Sequence, residues 1–481
     1  MADKTKMKDL VVILPGITSS FLQKDGKEIW AISGQAVWQA LTSLGESVQQ
    51  LKLVEDDPNA DFAPDGIKAS RLAPDISLVP GLVKIDGYSA LSRLITSNFE
   101  VTRGDIYHDP EDKPANYYEF PYDWRRDNRI NARLFKKLVD KRLKCWRESS
   151  GAQDAKVILL AHSMGGLISR YYLEVLEGWQ DCQALFTFGT PYRGSLNAVD
   201  FLANGYKKLF MDLTEVMRSF PSVYQLMPIY KMLKVGDQYQ RIAETNNLPN
   251  IDPMIAADAL AFHREIEAAV KRHQEDGNYW RSYKTIPIVG IEQPTLQSAT
   301  LVDGKLTASQ ELPDWIDGVA KNGDGTVPYV SAIPIELSKA FQDTYIAERH
   351  GSIQNNSQIL QQLSDRLRTI QFPELEAIRA PQKRILAAIS LSVDDLYLAD
   401  EPVVISAKIV NSEQQLGGLK AQITPVTGEG NPQAYDFQFQ EDGWVLNLDN
   451  LASGQYRLQV QTKESNSQAP FPVHDVFEIV R

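Results

Sequence analysis

The stretch VILLAHSMGGLISRYYLEVL, residues 157–176, constrains the fold more than any other part of the chain. Its first half is an unbroken apolar run, the pattern of a strand buried on both faces in a parallel sheet. Its second half sets Leu167, Ile168, Tyr171, Tyr172, Val175 and Leu176 on one helical face. The halves meet at His162-Ser163-Met164, followed by two glycines. A strand passing straight into a helix implies a crossover back along the sheet to a further parallel strand.

Other apolar runs fit the same plan: LVVILPG at 10–16, ALFTFGTP at 184–191, IPIVGI at 286–291 and TYIAE at 344–348. Helical patterns lie between them, which predicts a mostly parallel sheet with helices on both faces. Near residue 380 the character changes. About seven short alternating segments follow, separated by turn signals such as Gly417-Gly418 and Ser453-Gly454. They predict an all-β, immunoglobulin-like sandwich. The expected division is a catalytic α/β domain at 1–380 and a β-sandwich domain at 381–481.

Two insertions, near 20–75 and 195–250, follow strand ends, where open α/β sheets bind ligands, and are read as cap or lid segments. The second is expected to stay helical without a strand. Its apolar stripe, Leu209, Phe210, Leu213, Val216, Met217 and Phe220, ends at Pro221.

Composition narrows the function. The 481 residues are 43% hydrophobic and 23% charged, the range of a globular protein. A net charge of −12 argues against a nucleic-acid contact, which wants a basic face. It leaves open a peripheral membrane contact through apolar cap helices. Cys145 and Cys182 are too few for a disulfide framework and read as free thiols. The start lacks a signal-peptide pattern, and no run is long enough to span a membrane, so a cytoplasmic protein is expected. No cofactor or metal is expected, because no His/Cys/Asp cluster has ligand spacing and no Gly-rich phosphate loop occurs.

Strand, A-H-S-M-G, helix is the setting of a nucleophile elbow, with Ala161 where the usual pattern has glycine. A serine capping an ordinary helix would give the same five residues, but the flanking strand and helix favour the elbow. Serine needs a base and an orienting acid, in the chain order Ser, Asp or Glu, His. Of six histidines, His162 is too close to the serine and His108 precedes it. His263 and His273 read as solvated, and His474 falls near the end of the sandwich. His350, just after the last expected strand, is the candidate base. Asp324 in NGDGTVP is the candidate acid. Asp303-Gly304 reads instead as a hairpin turn, and Asp314 and Asp317 are weaker alternatives. Candidate oxyanion donors are the backbone N–H groups of Met164 and of Ile17, in the loop after the first strand. Asp123 and Arg125, flanking Trp124, read as a structural anchor.

LPGITSSFL, YEFPYDWR, AHSMGG, FGTPYRGS, RSFPSVYQLMP and NGDGTVP stand in this order along the chain. Together they resemble the blocks of the lecithin:cholesterol acyltransferase family of α/β-hydrolases, over roughly residues 8 to 370. The resemblance implies an α/β-hydrolase fold, Ser163, Asp324 and His350 as nucleophile, acid and base, and Ile17 and Met164 as oxyanion donors. It also implies a tryptophan on a lid, for which Trp30 and Trp38 are alternatives. The lid disulfide of secreted members is absent, since 36–54 holds no cysteine. The expected activity is a serine-dependent lipid acyl hydrolase or acyltransferase, a phospholipase or lipase, on a lipid or acyl-ester substrate. The rival readings are a soluble esterase, thioesterase or deacylase, and an inactive hydrolase-fold scaffold whose sandwich binds a protein partner.

Overall fold

The apolar runs become the central sheet of the computed structural model. Its strands are β1 (Leu10–Leu14), β2 (Tyr117–Glu119), β3 (Val157–His162), β4 (Cys182–Phe188), β5 (Lys284–Gly290) and β6 (Tyr345–Ile346). They run in the order β6-β5-β4-β3-β1-β2, and every adjacent pair is parallel. All residues of β1 and β3 are buried, so helices cover both faces of the sheet. This is an α/β-hydrolase fold. The described residues are 4–30, 49–73, 76–79, 83–110, 112–205, 207–208, 211–316, 322–338, 345–371, 387–412, 417–426, 431–440, 443–449, 451–463 and 469–480. No helix among them is long and apolar enough to cross a membrane.

One strand is an addition to the sequence reading. β2 lies inside the aromatic block Tyr-Tyr-Glu-Phe-Pro-Tyr, just before the helix Asn128–Ser150. That helix is capped by the Asp127 side chain, which accepts the Arg129 N–H, and ends at Gly151 in the left-handed region. Between them Trp124 is fully buried and donates its indole N–H to the Ser20 carbonyl at 3.0 Å. Arg125, also fully buried, is ion-paired to Asp123 at 2.6 Å and Asp65 at 2.7 Å. A buried cation needs such partners to offset its desolvation. The block therefore ties the loop after β1 to the segment around Asp65.

The region 195–250 departs from expectation. It contains strands Leu233–Val235 and Gln238–Gln240, which join Ser298–Val302 and Lys305–Ser309 in a four-stranded sheet. Gly236, at φ +58°, opens the turn of the first hairpin; its polar neighbours hid the strands. Asp303 and Gly304 do form the turn of the second hairpin, at φ 50° and 74°. Of the apolar stripe, Leu213, Val216, Met217 and Phe220 are buried, but the helix covers only Thr214–Arg218. Leu209 and Phe210 lie outside the described residues.

The C-terminal segments form two packed sheets. One takes Ala388–Val393, Val403–Val410, Gly443–Leu448 and Gln438–Gln440. The other takes Leu396–Leu398, Val473–Val480, Gly454–Thr462, Leu419–Pro425 and Gln433–Asp436. Val403–Val410 alternates buried and exposed over its first six residues, as a half-buried strand must. The sandwich has its own apolar core, separate from that of the α/β body. The expected boundary near residue 380 falls outside the described residues.

His263 and His273 are not solvated. Both are buried on the helix Pro253–His273. His263 bonds the Gln225 carbonyl at 2.8 Å, and burial pushes its pKa down to about 4. His273 lies between Glu174 and Glu177, each at 3.0 Å. Its periodicity matched a solvated face because the charges around it are its own partners. Hydrogen bonding to Glu174 raises its pKa above the ordinary 6.5 despite burial. A raised folded-state pKa contributes stability that is complete below the unfolded value and is lost as pH rises through the folded one. The melting temperature of the parent chain should therefore exceed that of His273→Gln by a margin that shrinks as pH is raised from below the ordinary 6.5 into the alkaline range. A margin constant across that range would refute this charge assignment.

Candidate active site

Ser163 follows β3 at φ 52° and ψ −123°, a conformation that L-residues rarely adopt. Backbone bonds hold it there. Its N–H donates to the Phe188 carbonyl at 2.9 Å, and its carbonyl accepts from the Gly166 N–H and the Thr190 hydroxyl, both at 3.0 Å. The helix Met164–Arg170 begins directly after it. The turn works only if that helix sits against β1. A Cβ on Gly165 would lie 2.5 Å from the Pro15 carbonyl oxygen, which is why glycine stands there. Ala161, fully buried, fits the first elbow position.

Three loops bring the other residues in. His350 lies in the loop after β6, with Nε2 3.0 Å from Ser163 Oγ. Its Nδ1 is 2.7 Å from Asp324 Oδ2. Asp324 is fully buried, and its other oxygen accepts the N–H groups of Thr326 at 2.9 Å and Val327 at 2.7 Å. The backbone N–H of His350 donates to the Asp324 carbonyl at 2.7 Å, so the two loops are tied twice. Gly189 passes beside this pair, where a Cβ would come within 2.7 Å of Asp324 Oδ2. Ser163, Asp324 and His350 are thus brought together. With Asp324 accepting from Nδ1–H, Nε2 is free to take a proton from the serine hydroxyl.

The loop after β1 reaches the same place. A Cβ on Gly16 would lie 3.0 Å from Ser163 Cβ, which sets the buried Ile17 and Met164 on adjoining turns beside the serine. Trp30 is fixed rather than poised above the site. It is buried, donates its indole N–H to the Thr18 carbonyl at 3.1 Å, and packs on Trp124 at 5.1 Å. Trp38 lies outside the described residues. A cavity of about 800 Å³ opens elsewhere, between Pro294 and the sandwich residues Ser406, Lys408, Gln440 and Trp444. Ser163 does not line it, and no reacting group converges there.

Sequence reasoning missed two supporting residues. His162 Nε2 is 3.0 Å from the His350 carbonyl, which can only accept, so Nε2 carries the proton. Nδ1 then accepts from the Tyr88 hydroxyl at 2.9 Å, and the Tyr88 oxygen accepts the Gly16 N–H at 2.8 Å. Burial keeps both groups neutral, pushing the His162 pKa well below its usual value and that of Tyr88 well above. This chain of bonds links the loop of His350 to the loop of Ile17. Nothing near Tyr88 in sequence signals the link, since it spans 74 positions to His162.

Residues 112–280 match the sequence profile of the family described as lecithin:cholesterol acyltransferase. The matched span contains the YDWR block, Ser163 and Met164, and leaves Ile17, Asp324 and His350 outside. A comparison with curated proteins returned no match. Among solved structures, Bacillus licheniformis lipase BlEst2 in its propeptide form covers 99% of this chain and 95% of its own, at 10% identity and a TM-score of 0.35. Its mature form covers 76% of this chain and 95% of its own, at 12% identity and a TM-score of 0.34. The CARDB domain of a Pyrococcus furiosus protein, solved with di-metal ions, covers 21% of this chain and 95% of its own, at 10% identity and a TM-score of 0.15.

Tyr88→Phe removes the hydroxyl's bonds to the Gly16 N–H and His162 Nδ1 and leaves both groups buried without that partner. Denaturant unfolding should show a loss of about 1–3 kcal/mol. Unchanged stability would mean the link carries no load.

Proposed function

Because residues 112–280 are lecithin:cholesterol acyltransferase-like, we propose that this chain is a serine-dependent acyl hydrolase or acyltransferase acting on lipid esters. The observation that carries this reading is the unbroken run of contacts from Ser163 Oγ to His350 at 3.0 Å and on to Asp324 at 2.7 Å. The matched family supports the lipid ester as substrate class.

In the proposed reaction His350 Nε2 removes the Ser163 proton as Oγ attacks the ester carbonyl carbon. The C=O π bond becomes an oxyanion, which receives the N–H groups of Ile17 and Met164. These donors are fixed before reaction, so stabilising the new charge needs no rearrangement. Asp324 keeps the imidazolium oriented and stabilised without itself taking the proton. The intermediate collapses, the ester C–O bond breaks, and the imidazolium gives its proton to the departing alcohol. An acyl-serine remains. Water or an acceptor alcohol then attacks it by the same steps in reverse order, giving a free acid or a new ester. We assign the chain two domains, the α/β-hydrolase to about residue 380 and the sandwich from 381. We also take it as cytoplasmic, with its two cysteines outside any disulfide.

Mixed phospholipid vesicles should yield free fatty acid and lysolipid, or a newly acylated acceptor, detected by mass spectrometry. Ser163→Ala should lower the rate at least about a thousand-fold. Equal product from both proteins would dismiss Ser163 as the nucleophile. No product from either would turn attention to small or protein-bound acyl esters.

A further inference from the structure

The loop bearing His350 rests on the C-terminal sandwich. Glu348, two residues earlier, is fully buried, and both its oxygens are occupied. Oε1 accepts the backbone N–H of His474 at 2.8 Å and that of Arg349 at 2.9 Å. Oε2 meets His474 Nδ1 and Asn356 Nδ2, each at 2.8 Å. Arg349 continues the contact. Its Nε lies 3.1 Å from Asp475, and its Nη1 donates to the Leu391 carbonyl at 3.2 Å. His474 and Asp475 belong to the strand Val473–Val480, and Leu391 to Ala388–Val393.

The loop bearing Asp324 reaches the same strand. Gln293 is fully buried and exchanges backbone hydrogen bonds with Gly323, at 3.0 and 3.3 Å. Its side chain extends the ladder: Nε2 donates to the Ile389 carbonyl at 2.9 Å, and Oε1 accepts the Leu391 N–H at 3.0 Å. A third tie runs through Asp86. Its N–H donates to the Gly351 carbonyl at 2.8 Å, and its carboxylate takes Arg457 of the sandwich at 2.7 Å. Each segment flanking the proposed acid and base therefore finds hydrogen-bond partners on the sandwich. Buried polar groups such as Gln293 and Glu348 are costly to leave unpaired, so these loops are not self-sufficient.

We propose that the sandwich positions the serine site, with Gln293 and the Glu348–His474 pair as positioning residues that hold the Asp324 and His350 loops in register. The inference rests on the serine-hydrolase reading above. None of these residues touches Ser163; they act through Asp324 and His350.

The test uses the full chain and the rate of Ser163 labelling by a fluorophosphonate, together with kcat and KM on a short-chain ester. His474→Ala removes one donor at the edge of the contact and leaves both cores intact. It should slow labelling and lower kcat by roughly ten- to a hundred-fold, with KM unchanged. His474→Asn, which keeps a donor, should restore most of the rate. Gln293→Ala should act in the same direction, and if it does not fold, His474→Ala decides alone. Phe439→Ala, on an exposed part of the sandwich away from these ties, should label at the parent rate. Parent-like labelling and kcat in both His474→Ala and a folded Gln293→Ala would overturn the inference and leave the serine reading standing. No labelling of the parent chain would overturn both.

Discussion

The double tie between Asp324 and His350 is the contact on which the rest of the site depends. One bond joins carboxylate to imidazole, and the other joins carbonyl to backbone N–H, both at 2.7 Å. The two residues are 26 positions apart, on loops that leave different strands. A side-chain bond alone would leave the imidazole free to swing with its loop. The backbone bond removes that freedom and sets the ring plane against Ser163. The geometry also needs space that only glycine supplies. A Cβ on Gly290 would come within 2.3 Å of Asp324 Cβ, and one on Gly189 would press on both partners.

The opposite side of the serine is built on the same logic, with buried neutral groups in place of a charge. His162 and Tyr88 join the His350 carbonyl to the Gly16 N–H by bonds of 2.8 to 3.0 Å. The two ends have one role each, the Gly16 N–H as donor and the His350 carbonyl as acceptor, so the chain between them can close in only one way. Neutrality matters here. A charged His162 beside His350 would repel the imidazolium that the proposed reaction creates, and burial prevents that charge from forming.

Much of this was legible in the sequence where a local pattern reports a local structure. The run before Ser163 is a buried strand because every residue from Val157 to Ala161 is apolar, and Asp303-Gly304 is a turn because its φ values need such residues. The hairpin at Leu233–Gln240 was illegible because its strands are three residues each and bury little. His263 and His273 misled for a different reason. A charged helical face looks solvated whether its charges meet water or each other, and only the fold puts Glu174 beside His273. Tyr88, Gln293 and Glu348 were invisible for the same cause, since each derives its meaning from a partner far along the chain.

That difference has a physical basis in what fixes each part of the site. The serine is set by its own strand, turn and helix, so a short sequence suffices to recognise it, and the matched family segment ends well before the other two residues. The proposed acid and base sit on loops whose backbone groups must be satisfied by something outside them. In this chain the partners come from Gln293, just past β5, and Ile346 of β6 on one side and from the sandwich on the other. A loop held from both sides loses little entropy when substrate arrives, because its order is already established on folding. The sandwich is then best understood through the groups it offers at its edge, the Ile389 carbonyl, the Leu391 amide and the His474 ring, which complete hydrogen bonds that the α/β body leaves open.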